Sequence, residues 1–372
     1  MTPQMQAEQA LLGALLLDPA QLPPLADWLE VRHFHRPAHA ALYEVLLAQH
    51  AADHRALASE ADPDARRAWA LEAICAAEAA SPGLTPSYAH ALIAACPRAE
   101  HAPAYARMVL ESAVHRALHE HAHRLLLAAQ SSDMQDAVHL AEVLRQAIRQ
   151  LTDAWGAVDP RPRRPLPQPP ARRPDPAGDE ALRGSEAMLL GALTDQPAAI
   201  VGIAQWLTGE DFLDPGHRAV YHALTALAHR GEPVDALTVL WEVQRRGALT
   251  SRTLTPDRIR GICAGTSAGD PGYWAETVLL ASLLRQAATS AGIIRALALD
   301  PSLPATQLLG AATQALEPLA AIQHRWQTAT GTQPPRPGPV LAGAPRTAAA
   351  HTPPQPAARP PQRPKASPRA GP

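Results

Sequence analysis

Residues 8–49 read EQALLGALLLDPAQLPPLADWLEVRHFHRPAHAALYEVLLAQ, and residues 186–227 read EAMLLGALTDQPAAIVGIAQWLTGEDFLDPGHRAVYHALTAL. The two stretches align without a gap. Glu8 falls on Glu186, Leu11 through Leu15 on Leu189 through Leu193, and Pro19 on Pro197. Trp28-Leu29 falls on Trp206-Leu207, Pro37 on Pro215, His39 on His217 and Tyr43 on Tyr221. Phe34 falls on Phe212, and these are the chain's two phenylalanines. Rare residues coinciding in one register argue against accident. Beyond them the register slips slightly: Leu84-Thr85-Pro86 meets Leu254-Thr255-Pro256, Tyr105 meets Trp274, and Arg116 meets Arg285. The pattern is a tandem duplication of a unit of roughly 145 residues, longer than a solenoid period.

Each unit reads as helical. Thr2 caps a helix with Pro3 at its first position, and Ala7, Ala10, Leu11, Ala14 and Leu15 form its apolar stripe. A helix is expected over 22–30, with Leu22, Leu25, Ala26 and Leu29 on one side, and another from Pro37 with Leu42, Val45 and Leu46. Thr85-Pro86 opens a helix to Cys96. Helices over 102–130 and 134–154 follow as an antiparallel hairpin, since Ser131, Ser132 and Asp133 alone separate them. The second unit predicts helices over 185–195, 198–208, 215–230, 235–247, 256–264, 271–298 and 305–326. No stretch shows the alternation of a strand. The expected fold class is all-α, with two tandem helical domains, each a small bundle plus a hairpin. Boundaries are expected at 1–155, 156–183 (a Pro/Arg-rich linker), 184–329 and 330–372 (a disordered basic Pro/Ala-rich tail).

Composition sets limits on chemistry. The 372 residues suffice for two domains. Aromatics are 4%, so Ala and Leu must build the core. Of 39 prolines, thirteen fall in 330–372 and eight in 160–176, where they exclude helix interiors. The sole lysine, Lys365, lies in the tail, and no G-x-x-x-x-G-K-[ST] loop is present to cradle a nucleotide phosphate. Cys75, Cys96 and Cys263 lack the spacing of a disulfide framework or zinc site. No signal peptide is expected at the N-terminus, and no apolar run approaches about 20 residues, so the expectation is a cytoplasmic protein. Residues 1–154 carry 11 Arg and 18 acids, and 184–329 carry 10 Arg and 13 acids. The stretch 330–372 carries five Arg and Lys365 with no acid. Phosphate is therefore expected to meet only the linker and tail.

The repeated unit resembles the N-terminal domain of the bacterial DnaB-type replicative DNA helicase. That family opens on Glu-x-x-(hydrophobic)-Leu-Gly-(small)-Leu and an Asp-Pro turn, seen as Glu8 to Leu15 with Asp18-Pro19, and Glu186 to Leu193 with Pro197. An Asp-Phe, a His and an aromatic follow as Asp211-Phe212, His217 and Tyr221, with His33-Phe34, His39 and Tyr43 in the first copy. Gly-x-Pro-Val-Asp appears as Gly231 to Asp235, Gly-x-Leu as Gly247 to Leu249, and an aromatic and arginine as Tyr273 or Trp274 and Arg285. The first copy departs at Ala52 to Ala56, which puts its fourth helix in question. The resemblance implies a helical domain whose hairpin self-associates in rings and contacts primase. The family's RecA-like motor has no counterpart in this sequence, so the resemblance does not imply helicase activity.

Candidate sites weigh little. His115, His119 and His123 share one helix face, a spacing compatible with metal. Unit two has no His there, and a solvated face is the default expectation. His33 and His35 have Asp211 and Leu213 as counterparts. His39 and His217 recur, which favours a structural role near Pro37 and Pro215. Trp28, Trp206, Phe34 and Phe212 are expected in the core rather than in a ligand cage. Gly13 and Gly191, in mid-helix, point to a close helix crossing. No catalytic, cofactor-binding or metal residue is assigned, and no cofactor is implied. The hairpin helices carry more apolar surface than they can bury against each other. The globular part, the other unit or a second chain must cover it. Together these readings predict a non-enzymatic replication protein docking a replicative helicase, primase or loader-type partner. It would be a homo-oligomer or an internal pseudo-dimer, with weak DNA contact through the Arg/Pro tail and no membrane. The alternative is a non-motor subunit of an active helicase whose ATPase is on another chain.

Overall fold

Proline and threonine or aspartate at the start of successive apolar stripes divide the chain into helices, and the computed structural model places them in order. They are α1 (Pro3–Leu17), α2 (Pro23–Ala26), α3 (Pro37–Ala51), α4 (Pro63–Ala80), α5 (Pro86–Ala95), α6 (Ala102–Gln130), α7 (Met134–Val158), α8 (Asp179–Asp195), α9 (Ala198–Ile203), α10 (Pro215–Arg230), α11 (Ala236–Arg245), α12 (Pro256–Cys263), α13 (Pro271–Ala298) and α14 (Ala305–Thr330). The structure describes residues 2–57, 63–81, 84–158, 179–250, 254–264, 269–331 and Gly371. Among these residues there is no strand. Contacts divide the chain into a unit of Met1–Thr332 and one of Gln333–Pro372.

The caps follow from the sequence. Thr2 accepts from Met5 N at 3.4 Å, and Thr85 and Thr255 accept from Tyr88 N and Arg258 N at 3.2 Å each. Asp214 caps α10, and Gly231 closes it in the left-handed region at φ +66°.

In the first half α1 packs on α3, α4, α5 and α6. In the second, α8 packs on α10, α12 and α13. The hairpins α6–α7 and α13–α14 cover each other's excess apolar surface. Helix α6 lies on α13 and α14, and α7 on both as well, forming a four-helix core. Val109, Leu118, Ala122 and Leu125 from one side and Leu283, Ala287, Ala291 and Ile294 from the other are buried. Of the three outlets left open by the sequence, two supply this cover: the other unit, and the globular part through α1 on α6 and α8 on α13.

Several expectations need correction. The helix expected over 22–30 shrinks to Pro23–Ala26, because the chain turns at Asp27 and the N–H groups of Trp28 and Leu29 both return to Leu25 O. That expected over 198–208 ends at Ile203. The linker expected over 156–183 is helical at both ends, since α7 runs to Val158 and α8 starts at Asp179. Residues 159–178, and the tail from 332 to 370, lie outside the described residues. The fourth helix of the first half is present as α4, with Trp69 fully buried and its Nε1 donating to Leu15 O at 3.0 Å. Helix α13 is long and apolar enough to cross a membrane by length and composition. Its Leu, Ile, Val and Ala residues raise the mean, and it packs against α6, α8 and α14.

Candidate functional site

Two buried Glu–His pairs hold the heads together. Glu8, on α1, receives the backbone N–H of His35 at 2.5 Å and of Arg36 at 3.4 Å, just before α3. Its other neighbour is His39, Nδ1 to Oε2 2.6 Å, and His39 Nε2 lies 2.7 Å from the Tyr88 hydroxyl on α5. Burial alone would raise the Glu8 carboxyl. The His39 hydrogen bond and the two N–H groups outweigh it and keep Glu8 below the ordinary carboxylate value. Glu186 repeats the arrangement with Leu213 N at 2.5 Å, Asp214 N at 3.3 Å and His217 Nδ1 at 2.8 Å. Here Arg258 stands where Tyr88 stands, pairing with Asp214 at 2.8 Å. Each carboxylate thus accepts from the two backbone N–H groups that lie just before a proline-started helix.

The aromatic residues also match. Phe34 meets Tyr43 and Phe212 meets Tyr221, each at 4.8 Å between ring centroids. Tyr43 donates to Leu29 O at 3.1 Å and Tyr221 to Leu207 O at 2.9 Å. Burial pushes both phenols up. Phe34 and Phe212 are buried, and Trp28 and Trp206 lie half-buried on the same core. No cage is formed by these rings.

His33 and Asp211 do one job with different chemistry. Glu30 N donates to His33 Nδ1 at 2.9 Å, and Thr208 N donates to Asp211 Oδ2 at 2.8 Å. Their carbonyls accept from Arg116 (2.9 Å) and Arg285, which ties each head to its hairpin. Burial lowers the His33 imidazole to about 4, with Glu30 opposing and Arg32 and Arg116 assisting.

His115 is not on a solvated face. Its two ring nitrogens each lie 3.0 Å from a carbonyl of the other half, Nδ1 from Ala298 O and Nε2 from Leu303 O. Glu111 accepts from Ala305 N at 3.3 Å, and Arg145 bonds Gln323. His119 and His123 stack on each other at 6.3 Å. Among the described residues, no group of three His, Cys, Asp or Glu is placed to hold a metal.

The glutamates of both anchors were missed as partners of the recurring histidines. Their signal was available: Glu8 and His39 are as far apart as Glu186 and His217. Apolar side chains stand open to solvent on several helices, α4 and α11 among them. On α11, Leu237 and Trp241 are 73% and 67% exposed, and on α4 Leu71 is 62% exposed. Nothing in these arrangements activates a nucleophile or gathers a reactive acid–base pair. What the geometry offers is rigid helical heads on a shared hairpin core, with apolar faces outward.

A family model described as the DnaB-like helicase N terminal domain matches residues 1–111 and 181–255, together half of the chain. The replicative DNA helicase DnaB of Mycobacterium leprae is 36% identical over 102 residues, 27% of this chain and 17% of that protein. Its namesake from Geobacillus stearothermophilus is 42% identical over 59 residues, 16% of this chain and 13% of that protein. The chain therefore spans less than a fifth of the length of these two relatives. Among solved structures, the N-terminal domain of DnaB helicase from Mycobacterium tuberculosis matches 36% of this chain and 94% of that chain, at 27% identity and a TM-score of 0.32.

Proposed function

We infer the function from one premise: this chain belongs to the DnaB-like helicase N terminal domain family. From it we propose an interaction protein of DNA replication in the cytoplasm. Its two N-terminal-type domains, at 1–155 and 184–329, dock a replicative helicase, a primase or a loader-type protein, and the chain hydrolyses no ATP of its own. The observation that carries this reading is that the family match falls twice and falls on the N-terminal domain alone. The paired Glu8–His39 and Glu186–His217 anchors support the tandem reading, since each half keeps the same internal frame. The basic stretch 330–372 adds a salt-dependent contact with single-stranded DNA.

The test is co-elution. The purified chain is run on size exclusion with the replicative helicase, the primase and the loader in turn, and ATP turnover is followed in each mixture. Retention of one of them without nucleotide turnover by this chain alone is the expected result. Turnover by the chain alone, or no retention of any of the three, overturns the reading. ATP turnover appearing only on mixing with a chain that carries a RecA-like motor would favour a non-motor subunit instead. For the tail, anisotropy with single-stranded DNA should weaken on deletion of 330–372, and unchanged affinity ends that part.

A further inference from the structure

Helix α11 ends in a cluster of arginines that its first-half counterpart α4 lacks. Glu242 is buried beneath guanidinium groups: Arg230 Nη2 lies 3.0 Å from its carboxylate, and Arg245 Nη2 and Arg246 Nε lie at 2.8 Å each. The Arg246 hydrogen bond outweighs burial and, with Arg230, holds the carboxyl well below its ordinary value, so Glu242 stays ionised. Glu232 takes a further bond from Arg230 at 2.8 Å. Three guanidiniums therefore face two carboxylates. Arg246 meets Glu242 through Nε, and its Nη1 and Nη2 donors meet no acceptor among the described residues. One turn before Arg245, on the same side of the helix, stands Trp241, its ring largely in water and stacked on no other ring among the described residues. The register that lays Leu84-Thr85-Pro86 on Leu254-Thr255-Pro256 also lays the buried Trp69 and Ala73 on the buried Val239 and Val243. It lays Glu72 on Glu242, Leu71 on Trp241, Cys75 on Arg245 and Ala76 on Arg246. The glutamate is kept, with His54 as its partner at 3.3 Å, while the indole and both arginines belong to the second half alone. The dipole at the end of α11 and the charge of Glu242 account for arginines there. They do not account for a tryptophan held in water beside them.

We propose that the Trp241–Arg245–Arg246 end of α11 binds single-stranded nucleic acid, with an unpaired base stacked on the Trp241 indole and the adjoining phosphates on Arg245 and Arg246. Every base offers a π face to an aromatic ring, and a guanidinium offers paired donors to phosphate oxygens. Trp241 and Arg245 stand about 6 Å apart along the helix axis, within reach of one nucleotide and its phosphate. Arg230 keeps Glu242 and Glu232 compensated, so Arg245 and Arg246 can turn outward without leaving the carboxylate alone. A duplex hides the faces of its bases, so the site prefers single strands. An acidic peptide would use the arginines but would leave the indole without a flat partner, which is why the exposed Trp241 favours a polynucleotide. The sequence placed phosphate contact in the linker and tail only. This site lies on a folded helix, and it depends on neither the tail nor any protein partner.

The experiment is fluorescence anisotropy on the full chain with a short labelled oligo(dT), the same strand paired with oligo(dA), and a Glu-rich peptide as competitor, over a salt series. Oligo(dT) is expected to bind more tightly than the duplex. Trp241→Ala should weaken oligo(dT) binding at least about fivefold. Arg246→Gln should weaken it and make the slope of log K against log salt shallower by about 0.7, one phosphate's share on a single strand. Arg246→Lys should keep the slope, and Leu71→Ala, at the first-half counterpart, should change neither quantity. On the unsubstituted chain, an oligonucleotide carrying 5-iodouracil should cross-link to Trp241 on irradiation, as located by peptide mass mapping. Affinity and slope indifferent to both Trp241→Ala and Arg246→Gln overturn the proposal, and so does a duplex bound as tightly as the single strand. Cross-links confined to residues other than those of α11 also overturn it. Displacement by the Glu-rich peptide together with no effect of Trp241→Ala would make the patch a site for an acidic protein segment instead. Deletion of 330–372 reads the tail contact separately, and co-elution reads partner docking, so failure of either leaves these outcomes distinct.

Discussion

Arg325, near the end of α14, lays its guanidinium on the buried Asp211 carboxylate, with Nη2 donating to Oδ1 at 3.0 Å. Ser282 donates to the same Oδ1 at 2.8 Å, and the Thr208 N–H to Oδ2 at 2.8 Å. The first half has neither member of the ion pair. His33 stands where Asp211 stands, and Ala154 precedes Trp155 as Arg325 precedes Trp326. The buried charge and its partner come and go together. That is what electrostatics requires, because a lone carboxylate at 1% exposure would keep its desolvation cost and lose its compensation.

Arg325→Ala in the full chain is therefore expected to cost on the order of 3 kcal/mol in urea unfolding. Asp211→His with Arg325→Ala, which copies the first half, should cost clearly less than Arg325→Ala alone. A double variant as costly as the single one would mean that the pair is not the origin of the loss.

Acid should loosen the two halves in separate windows. Burial would raise the Asp211 carboxyl, but Arg325 and the Thr208 N–H outweigh it and hold it low. A depressed carboxylate gives stability that is present above the unfolded value near 3.8 and is lost as pH falls through its folded value. His33 is depressed by burial from 6.5 to about 4. Below about pH 6.5 the unfolded chain takes up a proton that the folded site refuses, so stability falls from there down to about pH 4, by on the order of 3 kcal/mol. His33→Gln should flatten the stability profile between pH 6.5 and 4 and leave the steeper loss below it. A ring-carbon NMR titration of His33 with a midpoint near 6.5 would refute the assignment.

Much of the fold was legible because duplication repeats rare residues in one register. Helix starts at Pro3, Pro86, Pro215, Pro256 and Pro271 fell where a cap precedes a proline. The stripe Ala65, Trp69, Ala73 and Ala77, four residues apart after Pro63, marks α4 in the sequence even though no Gly-x-Pro-Val-Asp precedes it. The contacts of the candidate site were harder to read. His115 reaches Leu303 across 188 residues, and Glu8 reaches His39 through a fold that brings α1 beside α3. Spacing marks such residues as recurring or not. It does not say what they touch.

Gly13 separates local preference from packing. A Cβ there would stand 2.1 Å from Leu92 O and 3.0 Å from Cys96 Cβ, because α1 crosses α5 closely. Alanine gains about 0.5–1 kcal/mol in a helix interior, and overpacking costs about 1–3 kcal/mol. A backbone oxygen cannot move aside as a side-chain tip can, so the cost wins and Gly13→Ala should lower the melting temperature. Gly292→Ala, in α13 with nothing within 4 Å, should raise it. Equal signs for the two substitutions would contradict the crossing.

The last prediction concerns the seam between the halves. His115 meets the final carbonyls of α13 and the turn before α14, so one α6 side chain closes the open end of the opposite hairpin. The Ala298 carbonyl, at the last position of α13, is one that a helix end leaves without an intrahelical partner. Glu111, one turn earlier, takes the first N–H of α14 at Ala305. His115→Ala removes an imidazole donor from a half-buried joint and should cost about 1–3 kcal/mol. The loss should be local before it is global. Hydrogen exchange at 299–305 should quicken at least about tenfold, as 1.4 kcal/mol implies, while residues 8–15 of α1 keep their protection. His119→Ala, which removes only a ring stacked on His123, should leave 299–305 unchanged. If both substitutions speed exchange alike, the joint is held by bulk packing of α6 on α13 and not by the His115 imidazole.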